Sequence, residues 1–277
     1  MKTFKGKAIY NPSGKAAEYS QWACNFYTGC SNNCQYCYCK RGVMSSTWST
    51  TPKLKACFKD EKHALEVFEK ELRANLPELQ KHGLFFSFTT DPFLPETIEL
   101  TGAAVNICVF NDIPVKILTK RADWVKTLLK TWEKIRSSIV PSTWQYKKYI
   151  AFGFTLTGKD ELEPNASTNA ERIAAMRKLH EAGFKTWASI EPVIDTKKSL
   201  DMIEKCAKYC DLFKIGLLSG KKYDAIDLEW FTDWVVSLGK QYNAKIYFKN
   251  SLLAQAGINR EDLPANCVGM DYNMFND

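Results

Sequence analysis

Short apolar runs alternate with longer amphipathic ones along most of this 277-residue chain, and few folds accept that order. The apolar runs at 22–26, 84–89, 115–119, 150–156, 184–190, 212–217 and 245–248 have the length and side-chain content of strands. Between them a helical repeat recurs at 61–81, 97–110, 122–136, 169–182, 197–209 and 228–241. Gly83 and Gly183 stand just past two of these helices, where a left-handed terminating residue is wanted. Strand-helix alternation of this kind lays the strands parallel under a cover of helices. Six or seven units make a closed or partly closed α/β barrel, in which chemistry collects at the carboxyl ends of the strands.

The first of those ends carries Thr28-Gly29-Cys30-Ser31-Asn32-Asn33-Cys34-Gln35-Tyr36-Cys37. Spacings of three and then two residues, with an aromatic before the last cysteine, set three thiolates on one short loop, which suits an iron-sulfur cluster. A four-iron cube needs four ligands, so a loop supplying three leaves one iron for a ligand other than protein. Structural zinc is the competing reading, because Cys24 and Cys39 lie close by in sequence and could help complete a four-cysteine site. Against it, no second CxxC follows, and His63, His82 and His180 fall in separate segments. Ordinary buried cysteines are the third reading. A disulfide framework fits poorly with this length and with the lack of a secretory signal. Cys206 and Cys210 have the spacing of one helix face and read as packing residues.

A hydrophobic content of 45% with 13% aromatics supplies a globular core. No apolar stretch reaches the length of a membrane span, and the Lys-rich start lacks a following apolar segment. Those features predict a cytoplasmic protein with no membrane partner, and ten cysteines without an export signal suit a reducing compartment. The net charge of +7 tilts towards anionic partners such as nucleic acid, although the lysines form no long run and fit a solvated surface equally well.

The CxxxCxxC loop with Tyr36 in its last gap resembles the signature of the radical S-adenosylmethionine (SAM) superfamily. That resemblance implies a partial TIM-type (β/α)6 barrel, with 245–248 as a candidate seventh strand. It also implies a 4Fe-4S cluster on Cys30, Cys34 and Cys37, and SAM on the fourth iron. The expected reaction is reductive cleavage of SAM to a 5'-deoxyadenosyl radical that takes hydrogen from a substrate, fed by a one-electron donor such as flavodoxin or ferredoxin. The whole chain is then one domain, with an N-terminal extension at 1–21, a barrel core at 22–217 and C-terminal helices with the extra strand at 218–277.

Other strand ends fit the same resemblance. The turn Phe88-Thr89-Thr90-Asp91-Pro92 implies Thr89 and Thr90 beside the amino group of SAM, with helix capping as the plainer alternative. Lys120 would face the SAM carboxylate, or else simply open a surface helix. Thr155 offers a hydroxyl to ribose or carboxylate. Glu191 would set a carboxylate at the barrel mouth, where burial without a partner is costly, and ribose hydroxyls would serve as that partner. Lys249 reads as substrate-facing or merely exposed.

The strings Cys34-Gln35-Tyr36-Cys37-Tyr38, Thr-Thr-Asp-Pro, Thr119-Lys120, and Glu163-Pro164 followed by Glu171-Arg172 are similar to the spore photoproduct lyase-like group over residues 9–195. Residues 187–250, with Ile190-Glu191-Pro192, Lys214-Ile215-Gly216 and Phe248-Lys249, resemble an uncharacterised phage-associated group. The lyase likeness implies Tyr36 and Tyr38 packed near cluster and adenine. Phe88, however, stands where those lyases carry a hydrogen-donating cysteine, so photoproduct cleavage by the same route is not expected and the catalytic residue stays unassigned. Cys57, Cys108 or Cys267, or a tyrosine, could replace that cysteine if the fold brought one in. The expected substrate is a nucleic acid or nucleotide. The alternatives are a peptide- or protein-modifying maturase, and a zinc-containing nucleic-acid-binding module. Substrate, oligomeric state and the fate of SAM are not legible in the sequence.

Overall fold

The computed structural model describes residues 3–137 and 147–276. Seven strands run parallel in the order β2 (Ala23–Cys24), β5 (Leu84–Phe86), β6 (Val115–Thr119), β7 (Ile150–Thr155), β8 (Lys185–Val193), β9 (Leu212–Leu217) and β10 (Lys245–Phe248). Strand β1 (Ile9–Tyr10) lies antiparallel on the free edge of β2. A separate two-stranded ribbon joins β3 (Tyr27–Thr28) to β4 (Lys53–Leu54). The expected partial α/β barrel is therefore present, and 245–248 forms its seventh parallel strand.

Alternation along the strands separates two apolar layers. Phe86, Ile117, Phe152, Phe154, Ile190, Phe213 and Phe248 face the surrounding helices. Their neighbours Ala23, Phe85, Ala151, Trp187, Leu212 and Tyr247 face the lumen, where Tyr19 and Met274 join them. Each large side chain so buried contributes roughly 1.5–3 kcal/mol. Gly153 is required by this packing, because a Cβ there would run into the indole of Trp187 where it crosses the lumen.

Helix α1 (Glu61–Ala74) starts at Asp60, whose carboxylate accepts from the backbone of His63 at 2.7 Å. Its Glu71 carboxylate accepts from the amides of Lys7, Ala8 and Ile9, and so fixes the N-terminal edge of the sheet. The single helix expected over 61–81 breaks at Asn75 (φ −126°, ψ 17°), and a second, α2 (Leu76–His82), begins there. Pro77 suits the first turn of a new helix and not the interior of a longer one. Around the rest of the barrel lie α3 (Ile98–Phe110), α4 (Val125–Ser137), α5 (Asn169–Glu181), α6 (Thr196–Cys206), α7 (Ala225–Gln241) and α8 (Asn250–Ala256). Gly83 and Gly183 have φ of 72° and 86°, the positive values expected just past a helix end.

The first strand is shorter than its apolar run. Only Ala23 and Cys24 pair with β5, because Tyr27 and Thr28 leave the sheet to join Leu54 and Lys53. A segment ahead of the first parallel strand also packs on the barrel. Residues 14–20 cross beside β8–β10 as a strap, with the carbonyls of Glu18 and Tyr19 each 2.9 Å from Lys214 Nζ and that of Lys15 2.9 Å from Lys249 Nζ. Glu18 Oε2 in turn accepts from Tyr247 Oη and the Asn250 amide, both at 2.9 Å. Lys249 is accordingly neither substrate-facing nor exposed: it is 2% accessible. Among the described residues no helix is long and apolar enough to cross a membrane.

Candidate functional site

The cysteine loop leaves the sheet through Gly29, whose φ of 85° favours glycine. A Cβ there would sit 2.6–2.7 Å from Ser49 Oγ, Ser49 O and Thr51 O, against the segment whose Ser49 carbonyl accepts from the Cys30 amide at 3.0 Å. Asn33 takes a left-handed φ of 52° within the loop, and Lys40 Nζ binds its carbonyl and side-chain oxygens at 3.1 and 2.8 Å. One carboxylate then ties the loop to two strand ends. Buried Asp91 accepts from Asn32 Nδ2 (2.8 Å), Thr119 Oγ1 (2.6 Å), and the amides of Lys120 (2.7 Å) and Phe93 (3.0 Å). Four donors on a buried carboxylate compensate its loss of water.

The connection after β7 clasps the loop from the other side. Gln35 donates its amide to Leu162 O at 2.9 Å, and Asn165 Nδ2 donates to Ser31 O at 2.9 Å. Tyr36 Oη donates to Glu163, whose other oxygen pairs with fully buried Arg172. That guanidinium also donates to Thr155 O (2.6 Å) and Ser167 O (2.7 Å). Glu163 and Arg172 thus form a buried ion pair whose remaining hydrogen-bonding capacity is largely filled.

The loop's electrostatics differ thiol by thiol. Burial pushes Cys30 up to about 12, with the nearby Asp91 carboxylate adding to the rise. Burial also raises Cys34, against the opposing pull of the Lys120 ammonium. Cys37 is lowered to about 6, first by a hydrogen bond from the Cys39 thiol, against burial, with Lys120 and Lys40 helping. For Lys120 itself, burial works downward, but the Cys34 and Glu163 charges outweigh it and the net direction is up. Its ammonium lies 5.6 Å from the centre of the Tyr36 ring.

The remaining expected contacts lie around the same mouth, in different states. Thr89 Oγ1 donates to Tyr27 O at 2.5 Å, so it braces the turn. Thr90 Oγ1 is buried with no hydrogen-bond partner among the described residues, as is Asn32 Oδ1 in the Asp91 network. Thr155 is buried, and Tyr38 is exposed with its hydroxyl donating to Phe88 O. Glu191 has protein partners where ribose was expected: Lys249 Nζ at 2.8 Å and Tyr19 Oη at 2.5 Å. Its side chain is 19% accessible, so a donor from the mouth can still reach it. Gly216 makes room for this pair, since a Cβ there would lie 2.8 Å from both Glu191 Cδ and Lys249 Cδ.

Sequence reasoning missed Asp91 and Asn32 as the knot of the loop, and missed Tyr19 and Lys249 as partners of Glu191. An aspartate fixed between Thr90 and Pro92 hinted at the first. Nothing local signals the second, because Tyr19 and Glu191 are 172 positions apart. Of the substitutes considered for the missing lyase cysteine, Cys108 is buried in α3 and Cys57 and Cys267 pack at the edge of the outer core. Cys39 lies nearer, its Sγ 3.7 Å from Phe88 O. Cys206 and Cys210 are buried against each other, as packing residues are.

No group of three or more His, Cys, Asp or Glu converges on a single ion among the described residues. Cys24, one of the two cysteines weighed for a zinc site, is buried beside Cys108. A four-iron cluster would take one thiolate from each of Cys30, Cys34 and Cys37. Three thiols on one loop, next to an ammonium and to unpartnered Thr90 Oγ1, fit such a group and a polar ligand beside it.

The family model described as the radical SAM superfamily matches residues 24–210, which is most of the barrel. The chain belongs to the radical SAM superfamily. An uncharacterized protein of Methanocaldococcus jannaschii is 28% identical over 204 residues, covering 69% of this chain and 66% of its own length. The chain thus spans a little under two thirds of that relative's length. The crystal structure of SuiB from Streptococcus suis bound to S-adenosylmethionine superposes with a TM-score of 0.47 and 18% identity, over 77% of this chain and 48% of SuiB.

Proposed function

We propose that this protein is a radical SAM enzyme in which Cys30, Cys34 and Cys37 hold a 4Fe-4S cluster and the strand ends around them hold SAM. When bound, the cluster supplies the electron that splits the sulfonium of SAM and so starts hydrogen abstraction from a substrate. The protein's own part is orientation and charge. Lys120 offsets the negative thiolates and offers its ammonium to the SAM carboxylate. Thr90, with an unpartnered hydroxyl, is ready to accept from the SAM amino group, and Thr89 fixes the turn that presents it. Thr155 and Glu191 are the hydroxyl and carboxylate available to the ribose. Tyr36 and Tyr38 wall the loop.

The observation that carries this reading is the clamp on the cysteine loop, in which Asp91 fastens Asn32 to the ends of β5 and β6. A clamp of that kind holds three thiols in register with the residues offered to SAM. We assign the substrate to nucleic acids or nucleotides, on the +7 charge and on the lyase-like resemblance of the loop and turns. A one-electron donor of the flavodoxin or ferredoxin type completes the system. Anaerobic reconstitution with iron and sulfide, reduction, and addition of SAM should release 5'-deoxyadenosine. A Cys34→Ala variant should release none and should lose iron. Reconstituted protein that holds iron yet forms no 5'-deoxyadenosine with oligonucleotide, nucleotide or peptide present would remove the reading.

A further inference from the structure

Helix α7 has two apolar faces and the fold uses only one. Leu228, Phe231, Val235 and Val236 are buried against the barrel. On the other side Ile226, Trp230 and Trp234 stand 75%, 49% and 45% accessible at successive four-residue steps. Four-residue steps stack them on one stripe. The indoles lie 5.9 Å apart, and Trp234 Nε1 donates to Glu204 Oε1 at 3.0 Å, which fixes that ring in place before anything binds. Paired tryptophans held open to water are the composition of an interface centre and are unusual on a surface left bare.

We propose that this stripe docks a second copy of the same chain, with the two α7 helices antiparallel about a two-fold axis. Charge decides the occupant. The N-cap Asp224 and the carboxylates of Asp227 and Glu229 lie in the first half of the helix and Asp233 at its middle, while its one basic residue, Lys240, is in the last turn. A helix so divided complements itself when inverted: the acidic half of each copy meets the Lys240 end of the other, and the macrodipoles oppose. With the two-fold level with Thr232, Trp230 meets Trp234 of the second copy, Ile226 meets Leu238, and Asp224 meets Lys240. Nucleic acid is repelled from this face by the same carboxylates, so the dimer leaves the barrel mouth free.

Sedimentation of the full-length, cluster-reconstituted protein over a micromolar concentration series tests this. The wild type should sediment at twice the chain mass. Trp230→Ala with Trp234→Ala should raise the dissociation constant by about a hundredfold or more, since each ring is a central anchor. Ile226→Lys, at a position too exposed to matter for folding, should do the same to a smaller extent. Phe110→Ala, at an exposed aromatic on α3 away from this stripe, should leave the dimer intact. Circular dichroism and melting confirm that each variant is folded. A wild type that is monomeric throughout the series overturns the proposal, as does a dimer indifferent to Ile226→Lys and the tryptophan pair or broken by Phe110→Ala.

Discussion

The two halves of this barrel are held by opposite means. On the cysteine side the strands are two or three residues long, and position is set by a buried carboxylate, Asp91, that gathers donors from three segments. On the far side β8–β10 are four to nine residues long, and the buried amino groups of Lys214 and Lys249 gather the carbonyls of a strap. The contrast teaches where each half can yield. A loop hung from one carboxylate loses its place when that group goes, whereas a sheet wall keeps its course when a single strap contact is cut.

The largest effect should therefore come from Asp91→Ala, which leaves Asn32, Thr119 and two amides without their acceptor. At about 1–3 kcal/mol for each unsatisfied buried donor, a loss of roughly 4 kcal/mol is expected in chemical denaturation. Iron content after reconstitution should fall although all three cysteines remain. Equal iron in wild type and variant would show that the loop does not depend on this clamp.

Lys116 lies on β6, outside both the Asp91 clamp and the strap. It is a buried lumen residue that makes no hydrogen bond or ion pair among the described residues, and burial lowers it to about 8. Its folded value lies below the unfolded one near 10.4, so the unfolded state binds more protons between pH 8 and 10.4 and stability rises with pH across that window. Lys116→Met should stabilise the protein by about 3 kcal/mol at pH 7, and the gain should shrink above pH 8. A gain that stays constant from pH 7 to pH 10 would mean that the ammonium is solvated.

Smaller effects belong to the strap. Lys249→Met leaves Glu191, 19% accessible at the mouth, without its cation and should cost about 2 kcal/mol, since water reaching that edge softens the loss of a buried pair. Tyr19→Phe removes one donor to Glu191 and should cost about 1 kcal/mol. Both variants should keep full iron content. If either loses iron while still folded, the two halves are not independent.

How much of this was legible before the structure follows the same division. Strands β6, β9 and β10 lie at 115–119, 212–217 and 245–248 as read from the sequence, because continuous apolar runs buried on both faces leave little freedom in a parallel sheet. The cysteine spacing marked the loop, and a strand-end rule placed it. What stayed hidden depends on contacts between distant segments. The first strand lost residues to the ribbon at Lys53 and Leu54, the helix over 61–81 broke at Asn75, and residues 14–20 crossed beside β8–β10. Glu191 was recognised as a carboxylate needing a partner, but the ammonium that serves it lies 58 positions away. Glu163 and Arg172 were visible as letters, while their pairing beneath Tyr36 needed the fold.

The central claim is that three thiolates hold a four-iron cube and leave one iron to SAM. Mössbauer spectra of protein reconstituted without oxygen, recorded before and after SAM is added, test it most directly. One iron site out of four should change its isomer shift and quadrupole splitting on addition, in the wild type and equally in Cys39→Ser. Four sites that ignore SAM, or a unique site that disappears with Cys39→Ser, would mean that the protein itself closes the cube.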